Sequence, residues 1–135
     1  MISNPVIHGG IYLVKDSVIT LPPNDERQVH DERRPVVVLS GPNTNSSKGW
    51  RTVLVAPISS STSLKTGYCV KISANEGGLP KKCWVRVLAV QPLLKSDLED
   101  RLGVLSADRL EEIQARLFQY LGLPIEEFEE PEVGD

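Results

Sequence analysis

The sequence is poor in the residues that mark several large classes of protein. Its 135 residues include two cysteines, two histidines, two Trp, three Tyr and two Phe. Cys69 and Cys83 lie far apart without Cys-x-x-Cys spacing, so we expect free thiols, no zinc site and no other cofactor. No apolar run approaches the roughly 18 residues of a membrane span, and the N-terminus lacks the basic and apolar parts of a secretion signal. We therefore expect a single-domain cytoplasmic protein with no membrane contact.

Charge is distributed unevenly along the chain. The net charge is -3, but residues 1–90 carry +5 and residues 91–135 carry -8. Residues 124–135 contain five Glu and one Asp, a composition typical of a disordered, solvated tail. We predict a folded domain over residues 1–123 followed by this acidic tail. The alternative is that the tail folds over the basic part of the domain and lowers its activity.

Short β-branched runs separated by turn residues predict a mainly β domain. The predicted strands cover residues 9–14, 35–39, 52–58, 68–72 and 83–90. Residues 41–49, rich in Gly, Asn and Ser, are predicted to form a flexible polar loop. Five or more short strands at regular spacing favour a small, strongly curved antiparallel barrel.

One helix is predicted at the end of the domain, over residues 106–121. Ser106 is a good N-cap residue, and Gly122 followed by a proline would end the helix. Apolar residues at helical spacing form a stripe that would pack on the barrel or on a second copy of the chain. The stripe consists of Leu110, Ile113, Leu117 and Leu121.

Two of the strands end in polar residues that antiparallel pairing would bring together. Arg33 and Arg34 precede the second strand, and the third strand finishes at Ser59. Antiparallel pairing would place Arg34 and Ser59 at one rim of the sheet. This rim, where guanidinium groups and hydroxyls meet, is the candidate active site. Otherwise Arg34 is a surface arginine paired with Asp31 or Glu32.

The order of segments resembles the MazF/PemK toxin family. The matching segments are Gly-x-Ile-Tyr-Leu-Val, Arg-Arg-Pro-Val-Val-Val-Leu-Ser, Thr-Val-Leu-Val-Ala-Pro-Ile-Ser-Ser, Gly-Gly-Leu-Pro-Lys-Lys and Leu-Gly-Val-Leu-Ser, and together they span residues 9–123. The resemblance implies an SH3-like or CcdB-like barrel with a C-terminal helix, and a homodimer. It also implies a metal-independent, sequence-specific endoribonuclease that cleaves single-stranded RNA. A cognate antitoxin with an acidic disordered segment would silence it.

The resemblance also implies roles for individual residues. Arg34 occupies the position of the family's catalytic arginine, Ser59 that of its catalytic hydroxyl residue, and Gln91 matches a glutamine at the end of the fifth strand. Attack by the ribose 2'-hydroxyl needs a proton acceptor, and His30, whose intrinsic pKa suits that task, is a second candidate for catalytic support. The expected RNA-binding cations are Arg33, Lys81, Lys82 and Arg86.

Two other interpretations remain open at this stage. A relative with the same barrel but an incomplete site would bind RNA or protein without cleaving RNA. A toxin of the similar-fold CcdB type would poison DNA gyrase, but the Arg-Pro-Val-Val-Val segment has no role in that activity.

Overall fold

The computed structural model describes residues 5–21, 32–62 and 66–123. Within these ranges the chain forms seven β-strands and two α-helices. The strands are β1 Gly10–Lys15, β2 Arg33–Val38, β3 Thr52–Ser59, β4 Val70–Ile72, β5 Cys83–Val85, β6 Gln91–Leu94 and β7 Arg101–Val104. The helices are α1 Pro42–Ser46 and α2 Ala107–Tyr120. Neither helix is long and apolar enough to cross a membrane.

The strands form one antiparallel sheet in the order β4-β5-β3-β2-β1-β7. The sheet is organised around β3, which has different partners along its length. The first half of β3, from Thr52 to Val55, pairs with β6, whereas Ile58 and Ser59 pair with β5. One strand shared in this way has to curve. The result is an open half-barrel with one packed helix, which confirms the predicted mainly β fold with a C-terminal helix.

Both faces of the curved sheet are apolar, which explains why β2 and β3 are nearly continuous hydrophobic runs. On one face, alternate residues such as Ile11, Val37 and Ile58 pack against Leu110 and Ile113 of α2. The residues between them form a second core on the opposite face. That core includes Tyr12, Val14, Val36, Val38 and Val55. Each fully buried side chain of this size contributes about 1.5–3 kcal/mol relative to an exposed one.

Helix α2 has the ends that the sequence predicts. The hydroxyl oxygen of Ser106 accepts a hydrogen bond from the backbone N–H of Arg109 at 3.2 Å, which satisfies one of the free donors of the first turn. At the other end, Gly122 has a φ of 84°, and its N–H donates to the carbonyl of Gln119 at 3.0 Å. A left-handed glycine in this position ends a helix without steric cost.

Three local predictions were wrong. The predicted strand 83–90 stops at Val85 and continues as a 3₁₀ turn, Val87–Ala89, before β6 begins, because β5 and β6 pair with successive halves of one curved strand. The predicted loop 41–49 contains α1, Pro42–Ser46. Leu121, the last residue of the predicted apolar stripe, is 62% exposed because α2 has already ended. Residues 124–135 and His30 lie outside the described residues.

Candidate active site

An open cavity of about 670 Å³ lies at the rim where the end of β3 meets the start of β2. Apolar side chains from the first core form part of its wall. Its polar lining consists of Asp16, Glu32, Arg33, Arg34, Ser59, Ser60 and Lys81. The rim chosen from the sequence therefore carries a pocket with charges of both signs.

The pairing of β2 with β3 explains how Arg34 and Ser59 reach this cavity. The two strands are antiparallel, with Val36 opposite Pro57. Two more residues in the same register bring Arg34 opposite Ser59, and both line the cavity. The predicted antiparallel pairing is confirmed. The catalytic roles of the two residues remain predictions.

A buried carboxylate, which the sequence analysis missed, holds Arg34 in place. Val14 of β1 is paired with Arg34, and Asp16 lies two residues beyond Val14, at the start of the 3₁₀ turn that follows β1. The Nε of Arg34 donates to Oδ1 of Asp16 at 2.8 Å. The Asp16 side chain is 2% exposed and that of Arg34 is 20% exposed. The sequence did contain a signal for this contact. Asp16 continues the alternation in which every second residue of the apolar strand is buried.

The Asp16 contact determines what the Arg34 side chain can do. The contact uses Nε, so the two terminal amino groups of the guanidinium remain to bind phosphate oxygens. The ion-pair partner of Arg34 among the described residues is Asp16, whereas Asp31, one of the two partners considered in the alternative, lies outside the described residues.

The hydroxyl group of Ser59 is oriented by its own turn. Its oxygen accepts a hydrogen bond from the backbone N–H of Ser61 at 3.1 Å. That bond uses a lone pair of the oxygen and leaves the hydroxyl proton available as a donor. Ser59 can therefore donate to a phosphate oxygen beside Arg34.

Arg33 is bound by two acidic residues that precede β7. Its Nη1 donates to Asp100 at 2.7 Å and to Glu99 at 3.2 Å. The hydrogen bonds to Asp100 and Glu99 raise the pKa of Arg33 above its ordinary value. Because two carboxylates already compensate this exposed charge, the electrostatic attraction of Arg33 for RNA is weaker than that of an unpaired arginine.

The other predicted RNA-binding cations occupy different surroundings. Lys81 lines the cavity, whereas the Lys82 ammonium lies 5.3 Å from the ring centre of Trp84, a cation–π contact. Arg86 is half-buried just beyond β5. Burial lowers the pKa of Arg86, and the nearby charge of Arg34 also lowers it, against an opposing effect of Cys69.

Gln91 lies away from the cavity lining and has a clear structural role. Its Nε2 donates to the carbonyls of Thr20 and Ala89 at 2.8 and 3.0 Å, and its Oε1 accepts from the N–H of Thr20 at 3.0 Å. These contacts hold the segment that follows Asp16 against β6. The catalytic support predicted for Gln91 remains a prediction, as does that of His30.

A tight turn next to β7 forms another wall of the cavity. Gly78 has a φ of 82°, and a Cβ there would collide with the backbone carbonyl of Leu102. Glu76 anchors the same turn to α2, because its two carboxylate oxygens accept from Nε and Nη2 of Arg109 at 3.1 and 2.8 Å. The bond from Arg109, with one from the N–H of Ser73, lowers the pKa of Glu76.

Both cysteines are free thiols, as predicted. Cys83 is buried against the cavity, and its sulfur donates to the carbonyl of Lys81 at 3.2 Å. Burial raises the pKa of this thiol, against a smaller opposite effect of Lys81. The Cys83 thiol is therefore a poor nucleophile at neutral pH. Across the described ranges, no cluster of three or more His, Cys, Asp or Glu residues is arranged to hold a metal ion.

The fold and the rim define a class of small antiparallel β proteins in which an arginine and a hydroxyl group line one cavity. A family model described as PemK-like, MazF-like toxin of type II toxin-antitoxin system matches residues 11–121. The chain belongs to this family.

Relatives with assigned names agree with the family. The chain is 36% identical over 93 residues to Endoribonuclease MazF6 of Mycobacterium tuberculosis, which covers 68% of this chain and 81% of that protein. Endoribonuclease MazF2 of Mycobacterium bovis matches with the same values.

Solved structures support the fold. The MazE-MazF crystal structure from Deinococcus radiodurans superposes with a TM-score of 0.66 at 21% identity, covering 90% of this chain and all of that chain. The Mycobacterium tuberculosis toxin MazF-mt6 gives a TM-score of 0.63 at 20% identity, covering 86% and 99%.

Proposed function

We propose that this protein is a toxin that cleaves single-stranded RNA as a metal-independent, sequence-specific endoribonuclease. The observation that carries the proposal is that Arg34 and Ser59 line one cavity, with the arginine held through Nε by Asp16. The terminal guanidinium groups and the Ser59 hydroxyl then supply donors to the phosphate. Family membership and the endoribonuclease names of two relatives support the same activity.

The proposed reaction is attack by the ribose 2'-hydroxyl on the adjacent phosphorus. The O2'–P bond forms and the P–O5' bond breaks, leaving a 2',3'-cyclic phosphate and a 5'-hydroxyl end. Arg34 and Ser59 stabilise the charge that develops on the phosphate oxygens. A proton must leave the 2'-hydroxyl and another must reach the 5'-oxygen.

Among the described residues that line the cavity, two carry carboxylates that could accept the 2'-hydroxyl proton. Asp16 is buried and bound to Arg34, which makes it a positioning residue. Glu32 is exposed at the cavity wall and can reach a bound substrate. We assign the proton acceptor to Glu32, with His30 of the preceding segment as the alternative.

The test is incubation of the purified protein with a mixed-sequence RNA in EDTA. The wild type should yield fragments that end in 2',3'-cyclic phosphate, and Ser59→Ala should reduce the single-turnover rate. Ser60→Ala is the matched control, because its hydroxyl also lines the cavity but follows the end of β3. Equal rates for the two variants would contradict the role of Ser59, and absence of any cleavage by the wild type would leave a protein that only binds RNA.

The family also supports proposals about partners. A cognate antitoxin would place an acidic segment against the cations of the cavity, and co-purification of the two proteins tests this. The protein would act as a homodimer in the cytoplasm, which sedimentation of the purified protein and fractionation of cells can check. An antitoxin complex that forms equally well after charge reversal at Lys81 would argue against that docking site.

A further inference from the structure

Arg86 has a half-buried guanidinium group without an acidic partner in the described part of the chain. Arg33, Arg34 and Arg109 each bind a carboxylate within 3.2 Å, whereas no such contact exists for Arg86 among those residues. A charge removed from water is unfavourable unless an opposite charge or several hydrogen bonds compensate it. Among the described residues, no carboxylate compensates the half-buried charge of Arg86.

The strand register places Arg86 on the same face of the sheet as the candidate catalytic pair. Val85 lies in the core beneath α2, so its neighbours Trp84 and Arg86 belong to the opposite face. Trp84 of β5 is paired with Ser59 of β3. On the other side of β3, the register with β2, continued by two residues, places Arg34 level with Ser59. The backbone N–H of Arg86 donates to β3 at 2.9 Å, which extends the pairing by one residue.

The strand register, continued from the printed pairs, places the two arginines on either side of β3 and on one face of the sheet. The positive charge of Arg34 adds to the effect of burial in lowering the pKa of Arg86. Asp16 offsets the charge of Arg34 through Nε, but no carboxylate of the described residues forms an ion pair with Arg86.

We propose that Arg86 and Arg34 form a two-arginine phosphate site, in which one phosphate group of the bound RNA strand lies between the two guanidinium groups. The inference rests on the proposed function and adds a substrate-binding residue to it. A phosphate would supply the missing partner of Arg86 and remove the repulsion between the arginines. Charge-assisted hydrogen bonds from guanidinium to phosphate are about twice as strong as neutral ones.

The first experiment uses inorganic phosphate as the probe and thermal unfolding as the readout. Arg86→Met removes the charge but keeps an apolar stem, and Arg86→Lys keeps the charge. Without phosphate, Arg86→Met should unfold at the same temperature as the wild type or higher, because an uncompensated charge is removed. With phosphate, its apparent dissociation constant should rise about tenfold or more, and Arg86→Lys should recover most of the affinity.

Arg51→Gln is the matched control. Arg51 is exposed just before β3, at the opposite end of that strand from Ser59, so its loss should leave phosphate affinity within about twofold. If Arg86→Met unfolds at a lower temperature than the wild type and binds phosphate with unchanged affinity, Arg86 is a structural arginine and the proposal is wrong.

A second measurement uses a 2'-O-methyl RNA, which cannot be cleaved because its 2'-hydroxyl is blocked. Loss of one phosphate contact should reduce the slope of log affinity against log salt by about 0.7 for a single strand. An unchanged slope in Arg86→Met would overturn the proposal. Neither measurement depends on cleavage, so an inactive wild type whose phosphate affinity requires Arg86 would refute the proposed function but support the two-arginine site.

Discussion

Replacing Arg34 by alanine tests the ion pair that anchors the candidate site. The change leaves the Asp16 carboxylate at 2% exposure without the guanidinium that lies 2.8 Å away. Removing one partner of a buried ion pair costs about 3–5 kcal/mol. We expect the lower end, about 3 kcal/mol, because Arg34 itself is 20% exposed and water can enter its place. For a domain of this size that is a decrease of about 10 °C in the unfolding temperature.

A double-mutant cycle shows whether the loss arises from the pair. Asp16→Asn removes the buried charge and keeps the shape of the side chain, and we expect it to cost about 1–2 kcal/mol because Arg34 can turn towards the water of the cavity. The double variant Asp16→Asn/Arg34→Ala should be more stable than Arg34→Ala by about 1 kcal/mol, because a buried amide does not need a guanidinium. Urea unfolding of the four proteins gives these values.

The same variants separate stability from activity. The double variant should regain stability but not RNA cleavage, since the guanidinium is absent. Asp16→Asn should remain folded and cleave about 10–100-fold more slowly, because a loosely held Arg34 is misplaced relative to the phosphate. If the free-energy losses of the two single changes simply add in the double variant, Asp16 and Arg34 are not coupled and the argument is refuted. Full activity in Asp16→Asn would refute its positioning role.

Three further changes test other parts of the structure. The pKa of Glu76 is lowered in the folded protein, so its bond to Arg109 contributes fully to stability above about pH 4.5, the ordinary pKa of a glutamate. This contribution is lost as the pH falls through the lower pKa of the folded state. The difference in unfolding free energy between wild type and Glu76→Gln should therefore shrink as the pH falls below about 4.5. Gly78→Ala should lower the unfolding free energy by at least about 2 kcal/mol, because it combines a positive φ with a backbone collision, whereas Gly41→Ala, with no atom near its Cβ, should have little effect. With Cys69 replaced by serine, iodoacetamide should alkylate Cys83 slowly at pH 8 and faster above pH 9, because burial raises the pKa of this thiol. Rapid reaction at pH 7 would contradict its burial.

Much of the candidate site was predictable because its main pair depends on local pattern. Two successive β-branched runs predict an antiparallel pair of strands. Arg34 and Ser59 lie equally far along the chain from the connection between these strands, so the pairing brings both residues to the same end of the sheet. Asp16 could not be assigned in this way, because an aspartate after a strand is also a common surface residue. Its burial results from the segment up to Thr20, which Gln91 holds against β6 across a separation of 71 residues.

The sequence alone determined those features of this protein whose causes are local. The main strands follow from alternating apolar residues, and the ends of α2 follow from a hydroxyl cap and a left-handed glycine. Only the tertiary structure decided where the chain breaks between β5 and β6, that Leu121 is exposed, and that a buried Asp16 binds Arg34. These features depend on the curvature of β3 and on which side of it each distant segment packs, and neither is encoded in the residues of any one segment.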